Sequence, residues 1–166
     1  MLIILSGLPG TGKTTIAREL SGSLRAVHLR IDTIEHAIQT SMLNVPSAID
    51  AGYRAAMGVA EDNLRLGHIV VADSVNPIAI TRNAWRFTAA RVGVACIDVE
   101  IICSDEAMHR ARVESRASDL SGFKLPTWAD VQSRQYEPWT TERTLIDTAK
   151  QSLPTIIAML TLQVAP

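Results

Sequence analysis

The sequence predicts an α/β fold: a five-stranded parallel sheet flanked by helices in three layers, with a short lid over one edge. Three observations carry this. The chain opens on a short apolar run, Leu2-Ile3-Ile4-Leu5, followed directly by a glycine-rich loop and a helical pattern. Short apolar runs then alternate with longer helix-period segments, the mark of βα units and a parallel sheet. The residues that close those runs are polar, and in open parallel sheets ligands bind at the carboxyl ends of the strands.

The glycine-rich loop, Gly7-Leu8-Pro9-Gly10-Thr11-Gly12-Lys13-Thr14, fits the phosphate-binding pattern G-x-x-x-x-G-K-[ST]. Its context of strand, loop and helix aims backbone N–H groups and the positive end of a helix dipole at an anion. Glycines let the backbone turn sharply and approach a phosphate closely, and the N–H groups of Gly10, Gly12 and Lys13 can form a concave nest. A nucleotide would lie against Gly7, Pro9, Gly10, Thr11, Gly12, Lys13, Thr14 and Thr15. Lys13 supplies a mobile charge for the β/γ oxygens, and the Thr14 hydroxyl is a ligand for Mg²⁺.

The elements follow in order. Thr15 to Leu20 reads as the first helix, with Ile16, Ala17 and Leu20 apolar and Gly22 placed to end it. Ala26-Val27-His28-Leu29 is the second strand, followed by Arg30-Ile31-Asp32. A helix from Thr33 to Ser41 or Met42 ends at Asn44-Val45-Pro46-Ser47, and Ser47 or Asp50 caps the next, about Ile49 to Leu66, which stops at Gly67. Ile69-Val70-Val71-Ala72-Asp73 is a buried strand ending in a carboxylate. Asn76-Pro77 opens a helix that runs to Arg91 and stops at Gly93; Val94 to Ile102 is the fourth strand. Ser104 caps a helix to about Ala117, Asp119 to Pro126 is a loop, and Thr127-Trp128-Ala129-Asp130 fits a capping box. Leu145-Ile146 is the fifth strand, and Leu153 to about Gln163 the last helix.

At 166 residues the chain fits a single domain, with a lid at about 112–127 and an acceptor-binding region at about 33–67. The formal net charge of −1 leaves no general basic footprint, which argues against nucleic acid as a partner. Arginine dominates the cations, thirteen against three lysines, so Lys13 stands out. Cys96 and Cys103 lie seven apart on opposite faces of a strand, so neither a mutual disulfide nor a metal pair is expected. No run approaches a membrane span of about 20 residues and the N-terminus lacks a signal pattern. A cytoplasmic monomer or weak dimer, with no membrane partner, is expected.

Beyond the loop, the strand-end acids carry the chemistry. Asp73 closes four apolar residues and can hold the Mg²⁺ shell, or simply cap a turn. Asp32, after the second strand, would face the γ-phosphate and could accept a proton from an attacking hydroxyl or position it; it can also cap the helix that follows. Arg30 could hold an anionic substrate or be solvated. Arg112 and Arg116 share a helix face beside a glycine-containing loop, suiting either a lid that brings charge to the transferring group or a solvated basic helix end. Arg110 is free to pair with Glu106 or Glu114. Asn76 is a cap candidate; Arg82 and Trp85 line a pocket or pack; Tyr53, Arg54, Tyr136 and Trp139 are core or rim. The four histidines show no metal-ligand spacing.

Taken together, Gly7 to Thr14, the Asp after the second strand, the run into Asp73-Ser74-Val75-Asn76 and the Arg-rich helix before a loop resemble the small P-loop kinases. These include gluconate kinase-, adenylylsulfate kinase-, chloramphenicol phosphotransferase- and polynucleotide 5′-kinase-like proteins, often labelled AAA-type ATPases. The resemblance implies a P-loop NTPase fold, ATP with Mg²⁺, and transfer of the γ-phosphoryl group to a small acceptor. It implies nucleotide and metal roles for Lys13 and Thr14, an acceptor-hydroxyl role for Asp32, and lid arginines at Arg112 and Arg116. A polynucleotide 5′-hydroxyl kinase and a regulatory ATPase are the alternatives. No motif in Thr33 to Gly67 identifies the acceptor.

Overall fold

A computed structural model describes residues 1–42, 47, 48 and 50–164. Strands β1 (Leu2–Ser6), β2 (Val27–Arg30), β3 (Val70–Asp73), β4 (Cys96–Ile102) and β5 (Thr144–Asp147) form one sheet in the order β2-β3-β1-β4-β5. Every strand pair is parallel. The helices are α1 (Lys13–Leu24), α2 (Ile31–Gln39), α3 (Ala51–Arg65), α4 (Ala79–Val92), α5 (Glu106–Ser115), α6 (Trp128–Ser133) and α7 (Leu153–Val164). The α/β class and the five-stranded parallel sheet expected from the sequence are the ones observed.

The central strand explains the layers. All five residues of β1 are buried, because a strand inside a parallel sheet is covered on both faces. Its side chains alternate. Ile3 and Leu5 pack with Ile16 and Leu20 of α1 and Ile156 and Leu160 of α7. Leu2 and Ile4 pack on the opposite face with Ala56, Ala60 and Leu64 of α3 and Trp85 and Ala89 of α4. Each of the buried Leu and Ile side chains among them contributes about 1.5–3 kcal/mol of hydrophobic stabilisation.

Several boundaries differ from the sequence expectations. Helix α1 runs through Gly22 to Leu24, and Arg25 takes the left-handed conformation at φ 51°; the extension lets Leu24 pack on the α1/α7 core. Helix α2 starts at Ile31, so Asp32 lies within its first turn and Arg30 holds the N-cap position. Asp32 is therefore not the cap. Helix α4 starts at Ala79 rather than at Asn76-Pro77, and Asn76 sits at φ 46°, fully buried. Its Nδ2 donates to Ser6 Oγ at 2.9 Å, a tertiary bond in place of a cap. Asp105, not Ser104, caps α5, accepting from Met108 N. The capping box at Thr127 and Asp130 forms as expected. The expected break at Asn44-Val45-Pro46 and the helix start at Ile49 lie outside the described residues, and Asp50 takes the N-cap position of α3.

Parallel register brings the strand ends to one edge. Leu5 and Arg30 both align with Asp73, and Ile102 aligns with Asp147. Backbone bonds fix the loops there: Gly7 N donates to Val75 O at 3.1 Å and Thr148 N to Ile102 O at 2.9 Å.

Candidate active site

The carboxyl edge of the sheet opens into a cleft of about 980 Å³. Its floor is the glycine loop between β1 and α1. Gly7 has φ 147°, and a Cβ there would meet the Ile101 carbonyl oxygen at 2.1 Å. Only glycine lets β1 turn this close to β4. Gly10 and Gly12 also have positive φ, 86° and 100°. The N–H groups of Gly10, Gly12 and Lys13 make no hydrogen bond among the described residues. Three unpaired donors on a concave turn at a helix N-terminus fit an oxyanion.

Lys13 is buried, and its Nζ donates to Leu8 O at 3.0 Å within the loop. Burial pulls its ammonium below the usual range, while the charges of Asp73 and Asp32 oppose that fall. Asp73, at the end of β3, is 3% exposed. Burial works against its charge, but the His28 ring, the Lys13 ammonium and the Thr14 hydroxyl outweigh it and hold the carboxyl below its usual range. Among the described residues Asp73 Oδ2 has no hydrogen bond, and His28 Nε2 lies 3.5 Å away as an ion-pair contact only. A charged, buried carboxylate with a free oxygen beside a threonine hydroxyl fits a hard divalent cation, which takes oxygen donors and one or two carboxylates besides phosphate. Among the described residues no three His, Cys, Asp or Glu side chains cluster as an all-protein metal site.

Asp32 lines the cleft from the first turn of α2, 47% exposed, with Arg30 Nη2 3.8 Å away. One turn on, Glu35 lines the same cleft. Sequence reading missed it because nothing nearby marks it. Its stem lies across Gly52 of α3, where a Cβ would meet Glu35 Cγ at 2.3 Å. Burial, reinforced by the neighbouring Asp32 charge, pushes the Glu35 carboxyl up. Tyr53 stands behind these acids. Its hydroxyl accepts Asn76 N–H at 3.2 Å, and burial pushes its pKa up to about 12.

Helix α5 holds the glycine loop in two ways. His109, 7% exposed, places Nε2 2.8 Å from Pro9 O and sits edge-on to Trp128 at 5.1 Å. Arg112 donates to Thr148 Oγ1 at 2.8 Å and to Thr148 O at 3.2 Å. The Thr148 hydroxyl in turn donates to Thr11 O at 2.8 Å. Arg112 thus reaches the loop through Thr148, whereas Arg116 reaches across to Pro126 O at 3.1 Å. Both line the cleft, but the two partners lie on different segments. Neither Thr148 nor His109 stood out in the sequence, because each acts on a backbone carbonyl that no spacing rule records.

The remaining candidates separate cleanly. Arg82 is buried beneath Trp139 at 4.2 Å, donating to Asn76 O at 2.9 Å and Glu137 O at 2.7 Å. It packs the β3–α4 turn against residues 136–139 and does not line the cleft. Trp85 is core. Arg110 pairs with Glu114. Thr15 is exposed at the cleft rim. Ser104 and Asp147 bond each other at 3.0 Å and shape a turn. Arg30, far from solvated, is 13% exposed and makes an ion pair with Asp119 of the 116–127 loop. Cys96 and Cys103 are free. No helix among the described residues is long and apolar enough to cross a membrane.

Comparison with known proteins bears on the fold and the family. No curated protein matches the chain. The APS kinase CysC of Mycobacterium tuberculosis, solved in complex with AMPPNP and APS, is 20% identical with a TM-score of 0.70, covering 99% of this chain and 97% of that one. Chaetomium thermophilum Kti12, solved in complex with ADP-AlF3, is 23% identical with a TM-score of 0.70 and full coverage of both chains, 100% each. A gluconokinase from Sinorhizobium meliloti is 17% identical with a TM-score of 0.63, covering 98% and 94%. At such identities the likeness is one of fold. The family model of an AAA domain matches residues 2–138, which takes in the glycine loop, Asp32, Asp73 and α5. The chain belongs to this AAA domain family.

Proposed function

We propose that the protein is an ATP-dependent phosphotransferase that moves the γ-phosphoryl group to a hydroxyl of a small-molecule acceptor. The observation that carries this reading is Asp32: a carboxylate in the cleft that also holds Lys13 and Asp73, set apart from the glycine loop by the width of β3. The loop N–H groups and Lys13 would hold the β- and γ-phosphates, and Thr14 with Asp73 would hold Mg²⁺, which when bound neutralises charge on those oxygens. Asp32 would orient the acceptor hydroxyl and take its proton as the new P–O bond forms. Arg116 would add charge from the lid side, and Arg112 would fix the glycine loop through Thr148. Residues at about 33–67, with α2 and α3, would bind the acceptor, and residues at about 112–127 would act as the lid within a single domain spanning 1–166.

The test is acceptor-dependent ADP release over a panel of hydroxyl compounds. Asp32→Asn should lower turnover by about 10²–10⁴-fold while nucleotide affinity changes less than threefold. Undiminished turnover would reduce Asp32 to a bystander. ADP release that ignores every acceptor would point to a regulatory ATPase, and labelling of a 5′-hydroxyl oligonucleotide to a polynucleotide kinase.

A further inference from the structure

We infer that Arg18 and Arg30 form an anion subsite at the acceptor end of the cleft, which the Asp119 carboxylate of loop 116–127 fills in this structure and a carboxylate or phosphate monoester on the acceptor fills in its place. Arg30 Nη1 donates to both Asp119 oxygens, at 2.8 and 2.9 Å. Arg18 Nη2, from α1, donates to the same carboxylate. One oxyanion is thus gripped by two guanidinium groups from two different elements, a geometry suited to carboxylates and phosphates.

Two further features separate this cluster from an ordinary surface ion pair. Arg30 is only 13% exposed, and its buried Nε has no hydrogen-bond partner among the described residues. Both arginines line the main cleft and also a second, smaller cavity of about 240 Å³ that Asp119, His28 and Thr33 share. Asp119 and Asp32 together balance the two cations, and open space lies beside the cluster. The carboxylate is carried by a segment without regular structure, in which Gly122 has φ 76°, and a ligand anion in its place would exchange one oxyanion for another. Hydrogen bonds from the Arg30 and Arg18 guanidinium groups pull the Asp119 carboxyl down to a pKa of about 2.

Placement names the ligand. Arg30 Nη2 is 3.8 Å from Asp32 Oδ2. An acceptor whose hydroxyl meets Asp32 therefore has its anionic group at Arg30 and Arg18. The acceptor class is a hydroxylated carboxylate or phosphate monoester rather than a neutral polyol. This placing of the reacting hydroxyl rests on the phosphotransferase reading; the subsite itself does not.

Binding, not turnover, tests it. With the full chain loaded with AMPPNP and Mg²⁺ to fill the glycine loop, calorimetry compares gluconate, glucose 6-phosphate and glucose. Gluconate or glucose 6-phosphate should bind at least tenfold more tightly than glucose, and which of them does so distinguishes carboxylate from phosphate. Arg18→Met, an exposed position whose variant will fold, and Arg30→Met should each bring the preferred anion within about twofold of glucose. Asp119→Asn should tighten the anion at least threefold and leave glucose unchanged. Equal binding of the three probes, no binding of any, or anion affinity indifferent to Arg18 and Asp119 overturns the subsite. Anion binding without acceptor-dependent ADP release would instead sink the phosphotransferase reading and leave the subsite standing.

Discussion

His109→Phe isolates one bond that shapes the glycine loop. The phenyl ring keeps the volume of the buried imidazole and its edge-on contact with Trp128, at 5.1 Å and 82°. What it removes is the donor 2.8 Å from Pro9 O. A buried acceptor left without its donor costs about 1–3 kcal/mol. Pro9 lies between Gly7 and Gly10, both at positive φ, so the loop is free to relax locally rather than unfold the domain. Much of the cost should therefore be spent on loop shape. A loss of 1–2 kcal/mol there weakens nucleotide binding about 5- to 30-fold. Titration with AMPPNP reads that local term, and thermal unfolding reads the global one. His109→Gln restores an N–H near the Nε2 position and should recover most of the affinity. If His109→Phe binds AMPPNP within twofold of the parent, the bond serves stability alone. If the Gln variant fails to recover what Phe loses, the donor is not what matters, and the reasoning fails.

Two other perturbations probe the same cleft from different sides. Gly7→Ala drives a Cβ to 2.1 Å from the backbone oxygen of Ile101 at φ 147°; neither strand can give way, so destabilisation of about 3 kcal/mol or more is expected in urea unfolding, together with loss of nucleotide binding. Glu35→Gln removes a like charge three residues from Asp32 and should raise stability at pH 7 by about 0.2–0.5 kcal/mol. The sign follows from the raised Glu35 carboxyl: between its unfolded value near 4.5 and its higher folded value the native state binds the extra proton, so the parent loses stability as pH rises through that window. The Gln variant should lack this slope, and a slope that survives in it would assign the effect to another group.

What could be read from the sequence was what is local. The glycine loop, its flanking strand and helix, and the capping box at Thr127 and Asp130 each depend on residues a few positions apart, and each formed, with the end of the helix moved from Gly22 to Leu24. The Asp32 and Asp73 positions followed from the same logic, since a parallel sheet delivers its strand ends to one edge. What escaped notice is defined by partners far along the chain. Arg18 meets Asp119 across 101 residues, and Arg30, a candidate in the sequence, meets the same unforeseen partner across 89. His109 reads as an unremarkable helix residue until Pro9 O is placed against it across 100 residues. Glu35 points into the cleft only because Gly52 on the neighbouring helix leaves the space its stem occupies. The same distinction explains the functional division. The glycine-loop side of the cleft is backbone and one lysine, encoded in eight consecutive residues. The opposite side draws on α1, β2, α2 and the 116–127 loop, where Arg18 and Arg30 meet Asp119. A site that resides in a pairing rather than in a motif leaves no contiguous signature.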